Sequence, residues 1–206
     1  MLSDIKRLPK PPKHMTLLGQ LQKEDEKSIV VIGSRSMSGY GKNVIRCLVP
    51  ELVKEGYTIV SGLAFGCDSY AQDTALECGG RTIGILGYGV DFVKRDKNRR
   101  MIEKVLASKD GVVISPFKRD EPPSKYSFIY RNSIMAAVGK SVLVVEARRR
   151  SGVFYTVNSA LDLGRTIMAV PGDVFSLNSS GTHALLKEGA SLVESIEDVF
   201  ECIETF

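Results

Sequence analysis

Short β-branched apolar runs alternate along this chain with longer stretches of mixed polarity. The runs predict strands over residues 29–33, 58–62, 82–87, 112–115, 141–146 and 166–171. Strands this short and apolar throughout are those of a parallel sheet covered on both faces. Between them the pattern predicts helices over 40–55 and 67–77, one ending near Ser108, and others over 131–138 and 156–163. Gly79-Gly80 stops the second helix, as glycine past a helix end usually does. Pro116, Pro122 and Pro123 exclude regular helix from the loop after the fourth strand. A helix over 182–188, a short segment at 191–193 and an acidic last helix complete the chain. Six strand–helix alternations predict an α/β fold, a doubly wound parallel sheet in three layers. Residues 1–27 are expected to form a lead-in packed on the single domain of residues 28–206.

In such sheets ligands sit at the carboxyl ends of the strands, so the residues that follow each run carry the candidate chemistry. Gly33-Ser34-Arg35 opens the first turn, which closes on Gly41-Lys42-Asn43. It is not a dinucleotide loop. Arg35 stands where the second glycine of GxGxxG would be, and the second strand ends in Ser61-Gly62 with no acid for a ribose. A P-loop fails as well, because Asn43 follows Lys42 and Ser36 takes the place of the upstream glycine. What remains is a turn whose amides and helix N-terminus would receive a phosphate beside Arg35.

Lysine and arginine total 28 against 24 acids, a net charge of +4. The distribution says more than the total. Lys94, Arg95, Lys97, Arg99 and Arg100 form one basic cluster, Lys118 and Arg119 a second, and Arg148, Arg149 and Arg150 a third. Each follows a predicted strand, so all three are expected along one edge of the sheet. Tyr40, Phe65, Tyr88, Phe92, Phe117, Tyr126, Phe128, Tyr130 and Tyr155 lie in or near the same loops, and the chain has no tryptophan. Basic side chains with aromatic faces are the means by which single-stranded nucleic acid is held without sequence reading. The four cysteines form no CxxC pair and there are two histidines, which disfavours zinc or a disulfide framework and suits a reducing cytosol. No run approaches membrane-spanning length, so a cytoplasmic protein without membrane contact is expected. Glu146 ends the fifth strand, where it would serve either as a catalytic carboxylate or as a brace for Arg131. The lack of a His or Cys nucleophile with a partner favours the brace. Asp68 is read as a helix cap or an arginine partner.

Several motifs occur in order: Val31-Ile-Gly-Ser-Arg35, Ser61-Gly-Leu-Ala-Phe-Gly-Cys-Asp68, Arg131-Asn132, Val145-Glu-Ala147 with Ser151-Gly152 and Thr156, Ala169-Val-Pro-Gly172, and Gly181-Thr182 with Gly189-Ala190. Together they closely resemble the DNA-processing protein A family, also called Smf, from about Pro11 to about Val193. The resemblance implies an extended Rossmann fold that binds single-stranded DNA. It further implies delivery of a RecA-type recombinase in natural transformation and DNA recombination, and self-association as a homodimer. Carried over by position, Gly33, Ser34 and Arg35 would hold a backbone phosphate, while Ser61, Gly62, Gly66 and Asp68 shape the neighbouring turn. Arg131 and Asn132 would point into the same pocket, and Ser151, Gly152 and Thr156 would cap the next helix, with Lys42, Gly87 and Glu146 around the rim. Lys94, Arg95, Lys97, Arg99, Arg148 and Arg149 would guide the strand inward. No catalytic group, metal or cofactor is expected.

The chain departs from the family pattern at Gln72 (usually His), Pro116 (Glu), Val93-Lys94 (Tyr-Pro), Ser133 (Arg) and His183 (Asn). The family's N-terminal helical and C-terminal winged-helix domains have no counterpart, so a divergent paralogue reduced to the Rossmann core is expected. The alternative readings are a sensor of nucleotides or their derivatives and a phosphoribohydrolase-like enzyme of the same superfamily. Against the enzyme, Ala147-Arg-Arg-Arg150 stands where those hydrolases carry Pro-Gly-Gly-x-Gly-Thr.

Overall fold

The computed structural model of the protein describes residues 2–204. In chain order the elements are β1 (Thr16–Leu18), β2 (Ser28–Ile32), α1 (Gly39–Lys54), β3 (Thr58–Ser61), α2 (Cys67–Glu77), β4 (Thr82–Ile85), α3 (Arg99–Ala107) and β5 (Gly111–Ser115). They continue with α4 (Lys125–Val138), β6 (Ser141–Val144), α5 (Val153–Asp162), β7 (Thr166–Ala169), α6 (Ser180–Lys187), β8 (Ser191–Leu192) and α7 (Ile196–Glu204). Each strand alternates its side chains between two helical layers, as a period of two requires. In β2, Val30 and Ile32 pack with α4, α5 and the N-terminal residues Ile5 and Leu8. Ile29 and Val31 face the other way, onto α1, α2 and α7. The chain is therefore a three-layer α/β protein with a doubly wound sheet.

The eight strands lie in the order β1-β5-β4-β3-β2-β6-β7-β8. All neighbours are parallel except β1, which runs antiparallel to β5 with Leu17 opposite Ile114. From β2 the chain builds outward through β3, β4 and β5, then returns to the far side of β2 and builds through β6, β7 and β8. The reversal of direction falls between β2 and β6. A crevice opens at such a point because the loops from the two strands leave to opposite sides.

Several elements differ from their predicted spans. The strands read as 82–87, 141–146 and 166–171 leave the ladder earlier, at Ile85, Val144 and Ala169. Leu86, Val145 and Val170 still donate backbone hydrogen bonds to the neighbouring strands and stay buried, which is why their apolar pattern runs on. The segment after Gly89, expected as a basic loop, winds into a 3-10 helix over Val90–Arg95. The largest difference is α4, which begins at Lys125 rather than near Arg131. Pro122-Pro123 marks its start instead of excluding it. Ser124 caps the helix by accepting from the Ser127 amide at 3.0 Å, while the Ser127 hydroxyl accepts from the Ser124 amide at 2.9 Å. That reciprocal pair satisfies two amides a helix end would leave bare.

The first 27 residues contribute a strand and part of the core. Asp25, fully buried, accepts from Arg81 through both Nε and Nη2 at 2.9 Å and from the Thr58 hydroxyl at 2.9 Å. Asp4 accepts from Lys140 Nζ at 2.8 Å and Arg165 Nη2 at 2.6 Å, beside the buried Ile5. The lysine hydrogen bond is the main cause holding the Asp4 carboxyl down, from 3.8 to about 2. A carboxyl depressed in the folded state stabilises it above its ordinary pKa, and that stabilisation is lost as pH falls through the folded value. Amide hydrogen exchange at Ile5–Leu8 is therefore expected to accelerate as pH drops from about 4 to about 2 relative to intrinsic rates, by the same linkage. In Asp4→Asn that acid-induced acceleration should disappear; its persistence would detach this segment from Asp4.

Candidate functional site

A pocket of about 720 Å³ lies at the carboxyl ends of the strands, at the sheet's point of reversal. Gly33, Ser34, Arg35 and Ser36, which follow β2, form one wall. Arg148, Arg150, Ser151 and Gly152, which follow β6, form the opposite wall with the first turn of α5. The first half of α4 lays Lys125, Phe128, Ile129, Arg131 and Asn132 across it. Arg35, Lys125, Arg131, Arg148 and Arg150 are cationic, and Asp68 is the one acid in the lining. The five cations give the pocket a positive field, which low-dielectric walls concentrate.

The loops can approach this closely because of small residues at two places. A side chain on Gly33 would stand 2.6 Å from Cys67 Sγ and 2.8 Å from the Glu146 carbonyl oxygen. Gly66 takes φ of 84° at the start of α2 and faces the Ser34 carbonyl, a conformation and a space that exclude a β-carbon. Cys67 itself is buried, its thiol pushed up by desolvation, which leaves it unreactive.

Arg131 lies on the pocket floor with its guanidinium turned into the protein. Nη1 donates to the carbonyls of Gly62 and, at 2.8 Å, Ile85, at the ends of β3 and β4; Nε donates to Asn132 at 3.1 Å. Asp68 stands beside it, accepting from the Gly62 amide at 3.2 Å. Burial pushes the Asp68 carboxyl up and the Arg131 guanidinium down, and their mutual attraction opposes both shifts. Arg35, by contrast, is exposed at the mouth. Its guanidinium carbon lies 5.9 Å from the Phe128 ring centroid, and that of Arg131 lies 5.8 Å from the same ring. These are cation–π distances, so Phe128 links the exposed arginine to the buried one. Gly87 makes room for this ring, since a side chain there would meet Phe128 at 2.5 Å.

Glu146 does not brace Arg131. It extends from the end of β6 toward the layer of α1, whereas Arg131 comes from α4 on the opposite layer. Its carboxylate accepts from the Ser38 amide at 2.9 Å, from the Ser38 hydroxyl and from Asn178 Nδ2 at 3.4 Å. Ser38 is the N-cap of α1, accepting in turn from the Gly41 amide at 3.2 Å. The helix N-terminus expected to hold a phosphate is thus already occupied by a carboxylate of the chain. The cations of the pocket stand instead on the open loops after β2 and β6 and on the first half of α4.

The other expected residues fall into distinct places. Ser34, Ser151, Gly152 and Thr156 line the pocket. The Ser151 hydroxyl is buried and has no partner among the described residues. Gly152 accepts from Asn132 Nδ2 at 3.1 Å. Ser61 lies within the sheet, its hydroxyl donating to the Val31 carbonyl at 2.7 Å. Lys42 points to a neighbouring cleft of about 420 Å³ that shares Arg35 and Ser36 with the pocket. The three basic clusters do not converge. Lys94, Arg95, Lys97 and Arg99 are exposed outside the lining, because the 3-10 turn after β4 carries them round toward α3. Arg119 pairs with Asp91 at 3.0 Å, and Arg149 stays outside the lining while Arg148 and Arg150 enter it. Tyr88 and Phe117 are core residues, whereas Tyr40, Phe65, Tyr126 and Tyr155 are exposed. Lys125 joins the site from a half-helix where the sequence pattern predicts a loop. The signal was Ser124 followed by Ser127 after a proline pair. Among the described residues no group of His, Cys, Asp and Glu could hold a metal ion, and no helix is long and apolar enough to cross a membrane.

Residues 2–204 match the protein family described as DNA recombination-mediator protein A. Protein Smf of Escherichia coli is 37% identical over 193 residues, covering 94% of this chain and 51% of that protein. The crystal structure of DNA processing protein A from Streptococcus pneumoniae superposes with a TM-score of 0.87 at 34% identity, covering 96% of this chain and 69% of that one. DNA processing protein A from Helicobacter pylori, studied for its single-stranded DNA binding mode, gives a TM-score of 0.86 at 28% identity over 98% of this chain and 92% of that one. The chain spans about half the length of the Escherichia coli relative.

The two arginines near Phe128 should separate on mutation. Arg131→Ala leaves Asp68 buried without its counter-charge and two strand-end carbonyls without a donor, and is expected to cost about 3–5 kcal/mol in urea unfolding. Arg35→Ala, at an exposed position, should stay within about 0.5 kcal/mol of wild type. Equal losses would contradict this division of labour.

Proposed function

The chain belongs to the DNA recombination-mediator protein A family, and from that premise we propose that its pocket binds single-stranded DNA. The observation that supports this most is the composition of the pocket: five cations, an accessible ring at Phe128 and one buried acid. Cations neutralise backbone phosphates, and a base face stacks on an aromatic ring with about 1–3 kcal/mol per base. The two components lie within one cavity, so a phosphate and its adjoining base can be engaged together. Arg35, Lys125, Arg148 and Arg150 are placed to contact phosphates, with Gly33 and Ser34 supplying the loop they approach. Arg131 is assigned to holding the floor. Glu146 is assigned to fixing α1, a use of its carboxylate that speaks against a hydrolase employing it as the base.

We further propose that the bound strand is handed to a RecA-type recombinase and that the protein works as a homodimer. The exposed Leu161 and Leu192 offer apolar surface for association, while Leu185 and Val193 are buried within the subunit and are not available for it.

Titration of a fluorescent oligothymidine at several salt concentrations tests the strand-binding reading. If about four to six phosphates are neutralised, log K should fall with log salt at a slope near about −3 to −4. Arg35→Ala and Lys125→Ala should each weaken binding and reduce the slope by about 0.7, the share of one phosphate. A flat salt dependence, or unchanged affinity in both variants, would sink the proposal. Thermal stabilisation by AMP but not by the oligonucleotide would replace it with nucleotide sensing.

A further inference from the structure

A second groove of about 360 Å³ runs along the outer side of α4 and α5, against residues 7–10 of the N-terminal segment. It is separated from the basic pocket by a ridge that belongs to both: Ile129 and Tyr155 line each cavity. Helical periodicity explains the arrangement. On α4, positions 125, 128, 129 and 132 face the pocket, while 126, 129, 130 and 133 face the groove, two stripes meeting at Ile129. The floor of the groove is aromatic. Tyr126 and Tyr130 lie nearly parallel, 9° apart with centroids 6.4 Å from one another, and Tyr126 is 65% exposed. Tyr130 is fixed from behind, its hydroxyl donating to the Lys10 carbonyl at 2.9 Å and its ring packing edge-on to Phe117. Arg7, 3.8 Å from Asp4 on its own turn, and Lys10 stand on the rim, with Asp162 the one acid in the lining.

We propose that this groove is a second subsite for single-stranded DNA, taking the bases of nucleotides that pass over the Ile129–Tyr155 ridge out of the basic pocket. The inference rests on the single-strand reading of that pocket and extends it. Three features select this occupant. The groove lies just across the Ile129–Tyr155 ridge from the proposed phosphate site, so a strand held there by Lys125 and Arg150 has its next nucleotides at the ridge. The exposed Tyr126 ring, already paired with Tyr130, offers a flat face on which a base continues the stack, and such stacking accepts any base. Arg7 and Lys10 supply positive charge along the side where the phosphates of the same nucleotides would run. Strand binding by the protein is then a function of length: a short ligand fills the pocket alone, and a longer one gains the tyrosine platform.

Because the chain has no tryptophan, Tyr126→Trp places a single indole reporter in the groove. An oligothymidine of about 12 nucleotides, within the site sizes of single-strand binders, is expected to quench its emission, and a thymidine dinucleotide is not. In Tyr126→Ala, the gain in affinity on going from the dinucleotide to the longer strand should shrink about five-fold or more, the loss of one stacked base. Binding of the longer strand to wild type, with the indole of Tyr126→Trp unmoved and the length gain intact in Tyr126→Ala, would overturn the groove while leaving the pocket reading in place. Failure of the strand to bind wild type at all would remove both. An emission change produced by concentrating the protein without DNA would give the groove to a second copy of the chain and overturn the proposal.

Discussion

The Glu146 carboxylate occupies the N-terminus of α1, the position in the crevice most suited to an anion. In a parallel sheet the helix after the first strand presents unpaired amides and the positive end of its dipole to the crevice. Here the chain fills that position itself, from the end of the neighbouring strand, through Ser38. Gly41 has no side chain where one would stand 2.7 Å from the carboxylate oxygen. The turn from Gly33 to Ser38 is thereby drawn toward α1 and its first half left open. The cations of the crevice come instead from the loops after β2 and β6 and from α4. The pocket widens toward α4 and α5, and so their first turns supply its far walls.

Within that pocket, charge is divided by depth. Arg131 is enclosed and spends its donors on strand-end carbonyls and beside Asp68, a commitment that holds β3, β4 and α2 in register with α4. Arg35, Lys125, Arg148 and Arg150 are exposed, with Arg148 tethered through Nε to Asn178 at 3.2 Å. Phe128, near both Arg35 and Arg131, is where the enclosed and exposed parts meet. A polymer with a uniform backbone and variable bases suits such a site, since it demands charge and a flat face more than shape.

Much of this was legible in the sequence. The β-branched runs placed the six parallel core strands within one or two residues, and the ordered motifs identified the family. What escaped was side-chain direction and partners distant in sequence. Glu146 and Arg131 seemed natural partners because both follow from the same region of the sheet, yet they belong to opposite layers. The lysines and arginines of 94–99 share a strand end with the pocket only in the linear sense, since a 3-10 turn redirects them. The first half of α4 was hidden by its prolines, which start helices as readily as they break them. β1 was missed because three residues, Thr16–Leu18, carry too little periodicity to stand out.

Asn178 joins the segments that form the mouth of the pocket. Its side chain donates to the Ser36 carbonyl at 2.8 Å and to Glu146, and accepts from Arg148 Nε at 3.2 Å and from the Ser34 hydroxyl at 3.4 Å. Two of those partners lie 142 and 144 residues earlier in the chain. Contacts so far apart in sequence form late, because closing the intervening loop must precede any reward from them. During synthesis, a nascent chain that has emerged through α5 already displays every cation of the pocket but lacks the clamp that sets their spacing. The shaped cavity is acquired only once the loop before α6 has folded back across the sheet to bring Asn178 onto Ser34 and Ser36.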